Sequence, residues 1–269
     1  MPHSTTRDGV RVYYEEHGRG EPVLLAYGIG GNAGMWEPNI GALSAGHRLI
    51  LWEPRGHARS DSPEDPKKVT FAHWVWDLHD LMDHLDLERA IVGGLSLGGG
   101  IATRFTLAHP TRVRALLIID SSSASGLPLG VDNIVMRAKS IEVTLKGGMD
   151  AMAEFAIESN PNVAGRIKLD PSARKEVFDY YRMLTPIGYA NALRALLQMD
   201  YITDRLGEIT APTLLVCGDE DPSLGPMREI QKRIAHARFA LLSLAGHFAN
   251  RDQPVAFNRA VLEFLATLA

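Results

Sequence analysis

The stretch IVGGLSLGGGIATRF, residues 91–105, places a single serine between glycines that lie two positions away on either side. An apolar run typical of a buried strand precedes Ser96, and a segment with helical spacing follows it. The segment Gly94-Leu95-Ser96-Leu97-Gly98 thus fits G-x-S-x-G in a strand, turn and helix context. Glycine at positions 94 and 98 avoids a collision where strand and helix pass closely. The turn lifts the Ser96 hydroxyl above the sheet edge, which predicts that Ser96 is a nucleophile.

A nucleophilic serine needs a base for its proton and donors for the negative charge that forms during attack. The N–H of Leu97 lies in the first turn of the predicted helix, where a developing oxyanion would be stabilised. His247 follows the late apolar stretch RFALLSLAG (238–246) directly and precedes the last predicted helix. We therefore predict that His247 is the base.

The acid that orients the base is expected between the serine and the histidine, because this chain order is typical of the hydrolase arrangement. The stretch LLVCGDEDP offers three acids after an apolar run. Asp221 is preferred because it could reach back to the imidazole, whereas Asp219 and Glu220 suit a turn. Asp120 ends another predicted strand and stays the rival acid.

Composition and charge exclude several classes of partner. The 269 residues are 45% hydrophobic, which suffices for one large core. Lys and Arg number 28 against 32 Asp and Glu, so the net charge of -4 argues against nucleic acid and acidic membranes as partners. No stretch approaches the roughly 20 apolar residues of a membrane span, and the polar start MPHSTTRDGV lacks a secretory signal, so we expect a cytoplasmic protein. Cys217 is the single cysteine and is expected to be a small buried hydrophobe.

Apolar runs alternate with helical segments along most of the chain. This alternation predicts an α/β fold with a mostly parallel, doubly wound sheet covered on both faces. The predicted strands lie within residues 9–16, 21–27, 47–53, 90–95, 114–120, 213–218 and 238–244. The predicted helices lie near residues 35–43, 71–85, 97–108, 226–235 and 253–268.

One interval interrupts the alternation. Residues 125–205 are helical in pattern and poor in strands, with glycine and proline between the segments. We predict that they form an inserted helical cap over the carboxyl edge of the sheet. Residues 1–124 and 206–269 would then form the core domain.

The predicted second helix carries a group of residues that resembles a metal site. His73, Asp77, Asp80 and His84 fall on one face, and the segment also offers an apolar stripe for burial. A solvated face opposite a core stripe is the usual arrangement, so no metal site is predicted.

Several stretches together make the chain resemble the α/β-hydrolase superfamily over nearly its full length, most closely its cap-bearing serine esterases, lactonases and non-haem perhydrolases. 3-Oxoadipate enol-lactone hydrolases are one such relative. The matching stretches are PRGHARSD (54–61), GLSLGGGIATRFTLAHPTRVRALLIIDS (94–121), APTLLVCGDEDP (211–222) and AGHFANRDQPVAFNRAVLEFL (245–265). The resemblance implies an α/β-hydrolase sheet with Ser96, Asp221 and His247 as its triad. It also implies that no metal or organic cofactor is required.

The resemblance further implies that the backbone N–H of Ile29 is the second oxyanion donor, beside that of Leu97. Relatives commonly carry His-Gly in this loop, whereas here Tyr27 precedes Gly28. The backbone donor needs no particular side chain, but Tyr27 would brace the loop differently. Glu53 stands where relatives commonly carry aspartate, which keeps the charge.

The same loop carries a competing signal. Gly28-x-Gly30-x-x-Ala33 fits a dinucleotide-binding fingerprint, and Glu53 follows at the spacing of the acid that holds a ribose hydroxyl. An NAD-dependent oxidoreductase is therefore an alternative of another class. It leaves the serine elbow, the late Gly-His and the helical insertion unexplained together.

The expected activity is hydrolysis of a small to medium carboxylic ester or lactone through an acyl-enzyme. Carbon–carbon bond hydrolases and perhydrolases would use the same triad, and a non-catalytic ligand receptor is a further alternative. No arginine of the predicted cap stands out as a ligand for a carboxylate, and the oligomeric state is left open. The candidate pocket residues are Tyr27, Met35, Tyr180, Met183, Met199, Leu224 and Phe248.

Overall fold

A computed structural model describes residues 2–127 and 130–268. Within these residues, eight strands form one sheet in the order β1-β2-β4-β3-β5-β6-β7-β8. The six strands β3 to β8 pair with one another in parallel. β2 is antiparallel to both of its neighbours, β1 and β4. They are β1 His3–Thr5, β2 Arg11–His17, β3 Glu21–Ala26, β4 His47–Trp52, β5 Ala90–Leu95, β6 Val113–Ile119, β7 Thr213–Gly218 and β8 Arg238–Leu242. The predicted mostly parallel α/β sheet is confirmed, and only the three-residue β1 was not predicted.

Helices connect the strands and cover both faces of the sheet. The helices of the core are α1 Glu37–Ser44, α2 Phe71–His84, α3 Leu97–Ala108, α8 Leu224–Arg233, α9 Ala249–Asp252 and α10 Pro254–Leu265. Successive residues of β3 point to opposite faces: Leu24 joins the core cluster under α2 and α3, whereas Val23 and Leu25 join the cluster under α1 and α10. Burial on both faces explains why these strands are continuous apolar runs in the sequence.

In the described part of the interval between β6 and β7, four α-helices lie inside residues 125–205. They are α4 Val131–Ser159, α5 Pro161–Leu169, α6 Ala173–Arg182 and α7 Pro186–Leu197, and α4 is kinked at Gly148. Their apolar side chains share a cluster of their own, which Ile29 of the core also contacts. The exact bounds of this cap as a separate unit stay a prediction. Among the described helices, none is both long and apolar enough to cross a membrane.

The prediction of a wholly solvated face on α2 was wrong for Asp77. Its carboxylate is fully buried and contacts the buried Arg55 guanidinium, with Oδ2 2.8 Å from Nε. Asp8 binds the same guanidinium at 2.8 Å from Nη1. The buried charge of Arg55 needs an acidic partner on the inner side of α2. Helical spacing alone cannot predict such a partner, because Arg55 lies on a different element.

We expect Asp77→Ala to lower the free energy of unfolding by about 2 to 4 kcal/mol, because it leaves the buried Arg55 with one carboxylate instead of two. Urea denaturation measures this loss. The matched control is Asp83→Ala on the same helix, since Asp83 is 54% exposed in its pair with Arg112 and should contribute less than about 1 kcal/mol. Equal losses for the two variants would contradict this account of α2.

Candidate active site

The turn between β5 and α3 holds Ser96 in a strained conformation. Its φ of 53° lies in the left-handed region, which is rare for residues other than glycine. A Cβ on Gly94 would lie 2.7 Å from the Cα of Gly98, and a Cβ on Gly98 would overlap the carbonyl of Ala26 on β3. The predicted reason for glycine at both positions is thus confirmed.

Two serines that the sequence analysis did not single out support the elbow from below. The hydroxyls of Ser121 and Ser123 donate to the carbonyl oxygen of Ser96 at 2.6 and 2.9 Å. Both lie just after β6, which neighbours β5 in the sheet. The run SSSAS at 121–125 is the sequence signal, but only the strand order shows that it reaches the elbow.

His247 and Asp221 are buried and in contact at the edge of the sheet where Ser96 also lies. The imidazole Nδ1 lies 3.1 Å from each carboxylate oxygen of Asp221. Asp221 Oδ1 also accepts the N–H of Ser223 at 2.9 Å. Although burial opposes its charge, the His247 ring and the Ser223 N–H hold the pKa of Asp221 below its ordinary value. Asp221 is therefore ionised at neutral pH and can orient the imidazole.

The rival acid, Asp120, lies beside Asp221 but serves different partners. Its two carboxylate oxygens accept the N–H groups of Gly218 and Ala249, at 2.9 and 3.1 Å. Burial, followed by the charge of Asp221, raises the pKa of Asp120 well above its ordinary value. Burial thus favours the protonated form of Asp120, and its two hydrogen bonds tie the end of β7 to the segment after His247.

Cys217 belongs to the same buried group and is inert. Burial raises the pKa of its thiol, with the neighbouring acids adding to the effect. Since the thiolate is the reactive form of cysteine, the thiol is not available as a nucleophile. The expectation of a small buried hydrophobe is confirmed.

The loop after β3 approaches the serine very closely. A Cβ on Gly28 would lie 3.0 Å from the Cβ of Ser96, and the Gly31 N–H closes a tight turn onto the Gly28 carbonyl at 3.0 Å. Ile29 lies inside this turn and lines the cavity above Ser96. Leu97 is the first residue of α3, so its N–H has no acceptor within the helix. Ile29 and Leu97 thus belong to different elements that both adjoin Ser96, and their N–H groups stay the predicted oxyanion donors.

Tyr27 braces that loop through a different network from the one that histidine would offer. Its hydroxyl donates to Asn250 Oδ1 at 3.0 Å, and Asn250 Nδ2 donates to the Met35 carbonyl at 3.1 Å. The Tyr27 ring stacks parallel to Phe248 with centroids 6.5 Å apart. The loop after β3 is therefore tied to the segment that follows His247.

Glu53 is engaged in the same region and is not free to hold a ribose. Its side chain is fully buried, and its oxygens accept the backbone N–H groups of Ala33 and Arg59, at 3.1 and 2.8 Å. The Arg59 guanidinium also binds it. Glu53, the acid whose spacing resembled a dinucleotide fingerprint, thus holds together the loop of Ala33 and the loop of Arg59.

A cavity of about 420 Å³ lies between the sheet edge and the cap, and both Ser96 and His247 line it. This volume falls in the range of small-molecule sites. Five of the seven predicted pocket residues line it: Tyr27, Met35, Tyr180, Met199 and Phe248.

Met183 and Leu224 are not among the described residues that line this cavity. Met183 is 40% exposed, and its sulfur contacts Asn32 Nδ2 at 3.4 Å. Leu224 packs against the core under α3. Position in the sequence could not reveal whether the residue that follows α6 and the first residue of α8 face the cavity.

The cavity also contains polar residues that the sequence analysis missed. Arg137 and Asn162 line it from α4 and α5, and Tyr189 lines it from α7. Nothing in their local sequence separates them from ordinary surface or core residues of a helix. Only the packing of the cap places them over the serine.

Known proteins resemble this chain over nearly its full length. A putative 2-succinyl-6-hydroxy-2,4-cyclohexadiene-1-carboxylate synthase of Bacillus subtilis (strain 168) is 28% identical over 98% of both chains. 3-Oxoadipate enol-lactonase 1 of Acinetobacter baylyi is 27% identical over 94% of this chain and 92% of its own. A thermophilic esterase from Thermogutta terrifontis has a TM-score of 0.88 at 25% identity, covering 99% of this chain and 98% of its own. A family model described as alpha/beta hydrolase fold matches residues 21–254, and the chain therefore belongs to the α/β hydrolase family.

Proposed function

We propose that this protein is a serine hydrolase that cleaves a small to medium carboxylic ester or lactone through an acyl-enzyme. One observation carries the proposal: the strained Ser96 shares a cavity with His247, whose Nδ1 lies 3.1 Å from the ionised Asp221. The esterase and enol-lactonase among the relatives support the same reaction class. Membership of the family makes hydrolysis the expected chemistry.

In the proposed mechanism, His247 Nε2 takes the Ser96 hydroxyl proton as Oγ attacks the substrate carbonyl. The N–H groups of Ile29 and Leu97 stabilise the tetrahedral oxyanion. The imidazolium then gives its proton to the leaving alcohol oxygen, and the carbon–oxygen bond breaks. Water attacks the acyl-enzyme by the same route and returns the proton to Ser96. Asp221 holds the imidazole in the tautomer that this cycle needs.

The pKa shifts and the contacts of the two acids favour Asp221 over Asp120 as the acid that orients His247. Burial raises the pKa of Asp120, which makes it the weaker candidate for stabilising an imidazolium by charge. Asp221 contacts Nδ1 directly with both oxygens. Asp120 is thus proposed to position the His247 segment through the Ala249 N–H.

The first test is the substitution Ser96→Ala in a pH-stat assay on alkyl esters of increasing acyl length and on simple lactones. We expect the variant to lose about 1000-fold or more in kcat, because the nucleophile is removed while the oxyanion donors and cavity remain. An organophosphonate should add one phosphonyl group to the wild type at Ser96, which peptide mass spectrometry locates. The exposed Ser172→Ala is the matched control and should retain full activity.

Labelling and turnover together separate the alternatives. Turnover that survives in Ser96→Ala would overturn the serine mechanism. Absence of both turnover and labelling would favour a non-catalytic receptor. Labelling without ester or lactone turnover would direct the search to carbon–carbon bond hydrolysis, and peracid formation with added peroxide would identify a perhydrolase.

The second test compares Asp221→Asn with Asp120→Asn. We expect Asp221→Asn to lower kcat about 1000-fold or more, since a neutral amide cannot stabilise the imidazolium. Asp120→Asn should lower kcat less than about tenfold and lower the melting temperature, because it disturbs two buried backbone hydrogen bonds. Steady-state kinetics and thermal unfolding give both readouts. The reverse order of the kcat losses would make Asp120 the triad acid.

A further inference from the structure

One cationic side chain in the wall of the cavity has no anionic counterpart. Arg137 lies on α4, and its Nε and Nη1 atoms are buried without a hydrogen-bond partner among the described residues. Two arginines that are more fully buried are paired: Arg55 contacts Asp77, and Arg104 contacts Asp200. Arg137 as a whole is partly buried, but its two buried N–H-bearing atoms lack such a partner, which distinguishes it from these two arginines.

The rest of the cavity wall does not compensate this charge. Among the described lining residues there is no aspartate or glutamate, and Arg137 and His247 are the only basic ones. Tyr189 is a neighbour of Arg137, but burial raises the pKa of its phenol well above the ordinary value, so it stays neutral. Burial also lowers the pKa of Arg137, as expected for a guanidinium without an acid.

A second polar atom in the same wall is also unpaired. Asn162 Oδ1 is buried without a hydrogen-bond partner among the described residues, although the Asn162 N–H is bound by Asn160 Oδ1 at 3.0 Å. Buried polar groups are normally satisfied, so each unpaired one in a cavity wall marks a position where a ligand or a water can bind. The cap side of the cavity is therefore a polar subsite, whereas Ser96 lies on the sheet side.

We propose that Arg137 binds a carboxylate of the substrate while the scissile carbonyl lies on Ser96, so that the preferred substrates are anionic esters or lactones. This inference rests on the serine hydrolase function proposed above. The planar guanidinium matches a carboxylate in shape, and its single charge neutralises a monoanion but not a phosphate dianion. The sequence offered no arginine of the cap as such a ligand, because only the fold brings this part of α4 over the serine.

The test uses ethyl half esters of succinate, glutarate and adipate and, for each, a neutral ethyl ester in which an isopropyl group replaces the carboxylate. These pairs match in shape and differ in charge, and the three lengths sample the depth of the cavity. We expect the wild type to prefer at least one half ester over its neutral partner. In Arg137→Met, the ratio of kcat/KM for that pair should fall about 100-fold. PH-stat kinetics measures both values.

The matched control is Arg182→Met, an exposed arginine of the cap that pairs with Asp150. It should leave the ratio within about twofold of the wild type. A wild type without preference for any half ester would overturn the proposal. So would an Arg137→Met variant whose kcat/KM falls equally on both members of each pair, since that is the signature of a purely structural arginine.

Direct binding separates failure of this inference from failure of the hydrolase function. Calorimetry with glutarate, and with glutaramide as its neutral counterpart, needs no turnover. Glutarate binding to the wild type that is lost in Arg137→Met supports the subsite even if no ester is hydrolysed, whereas equal binding of glutarate and glutaramide overturns it. If Arg137→Met does not fold, the wild-type preference and the glutarate against glutaramide comparison decide the matter.

Discussion

The close packing of β5, α3 and β3 is the constraint on which the site depends. Gly94 and Gly98 lie so near each other and the Ala26 carbonyl that no side chain fits at either position. This packing leaves Ser96 at a φ of 53°, with its carbonyl bound by two serines from the next strand and its side chain at the cavity floor. The strain is maintained because moving the turn would cost core contacts on both faces of the sheet.

The remaining groups of the site converge on that turn because parallel strands end at the same edge. β6, β7 and β8 lie next to β5 in order, and the segments after them carry Asp120, Asp221 and His247. The two acids differ in their pKa shifts and in their partners. Burial raises the pKa of Asp120, whose oxygens accept two backbone N–H groups, whereas the His247 imidazole holds the pKa of Asp221 below its ordinary value despite burial. A difference in surroundings thus shifts the pKa values of adjacent carboxyl groups in opposite directions.

Contacts between loops then link the segment before Ile29 to the segment that carries His247. Tyr27, Asn250 and Phe248 connect the loop after β3 to the segment after His247. Glu53 fixes the other end of the same loop through Ala33. These contacts explain how tyrosine can stand where relatives commonly carry histidine without leaving the loop unsupported. The Glu53 contact with Ala33 also explains the acid at the spacing that resembled a nucleotide-binding fingerprint.

Local sequence by itself determined the parallel sheet, the serine elbow and the positions of the three candidate triad residues, because apolar runs, helical spacing and glycine geometry act over short distances. It also placed the helical interval between β6 and β7. Tertiary structure alone decided that Asp77 is buried against Arg55, that Met183 and Leu224 lie outside the cavity, and that Arg137 lies within it. The side of a helix that meets a charge or a cavity depends on partners distant in the chain, so no local pattern records it.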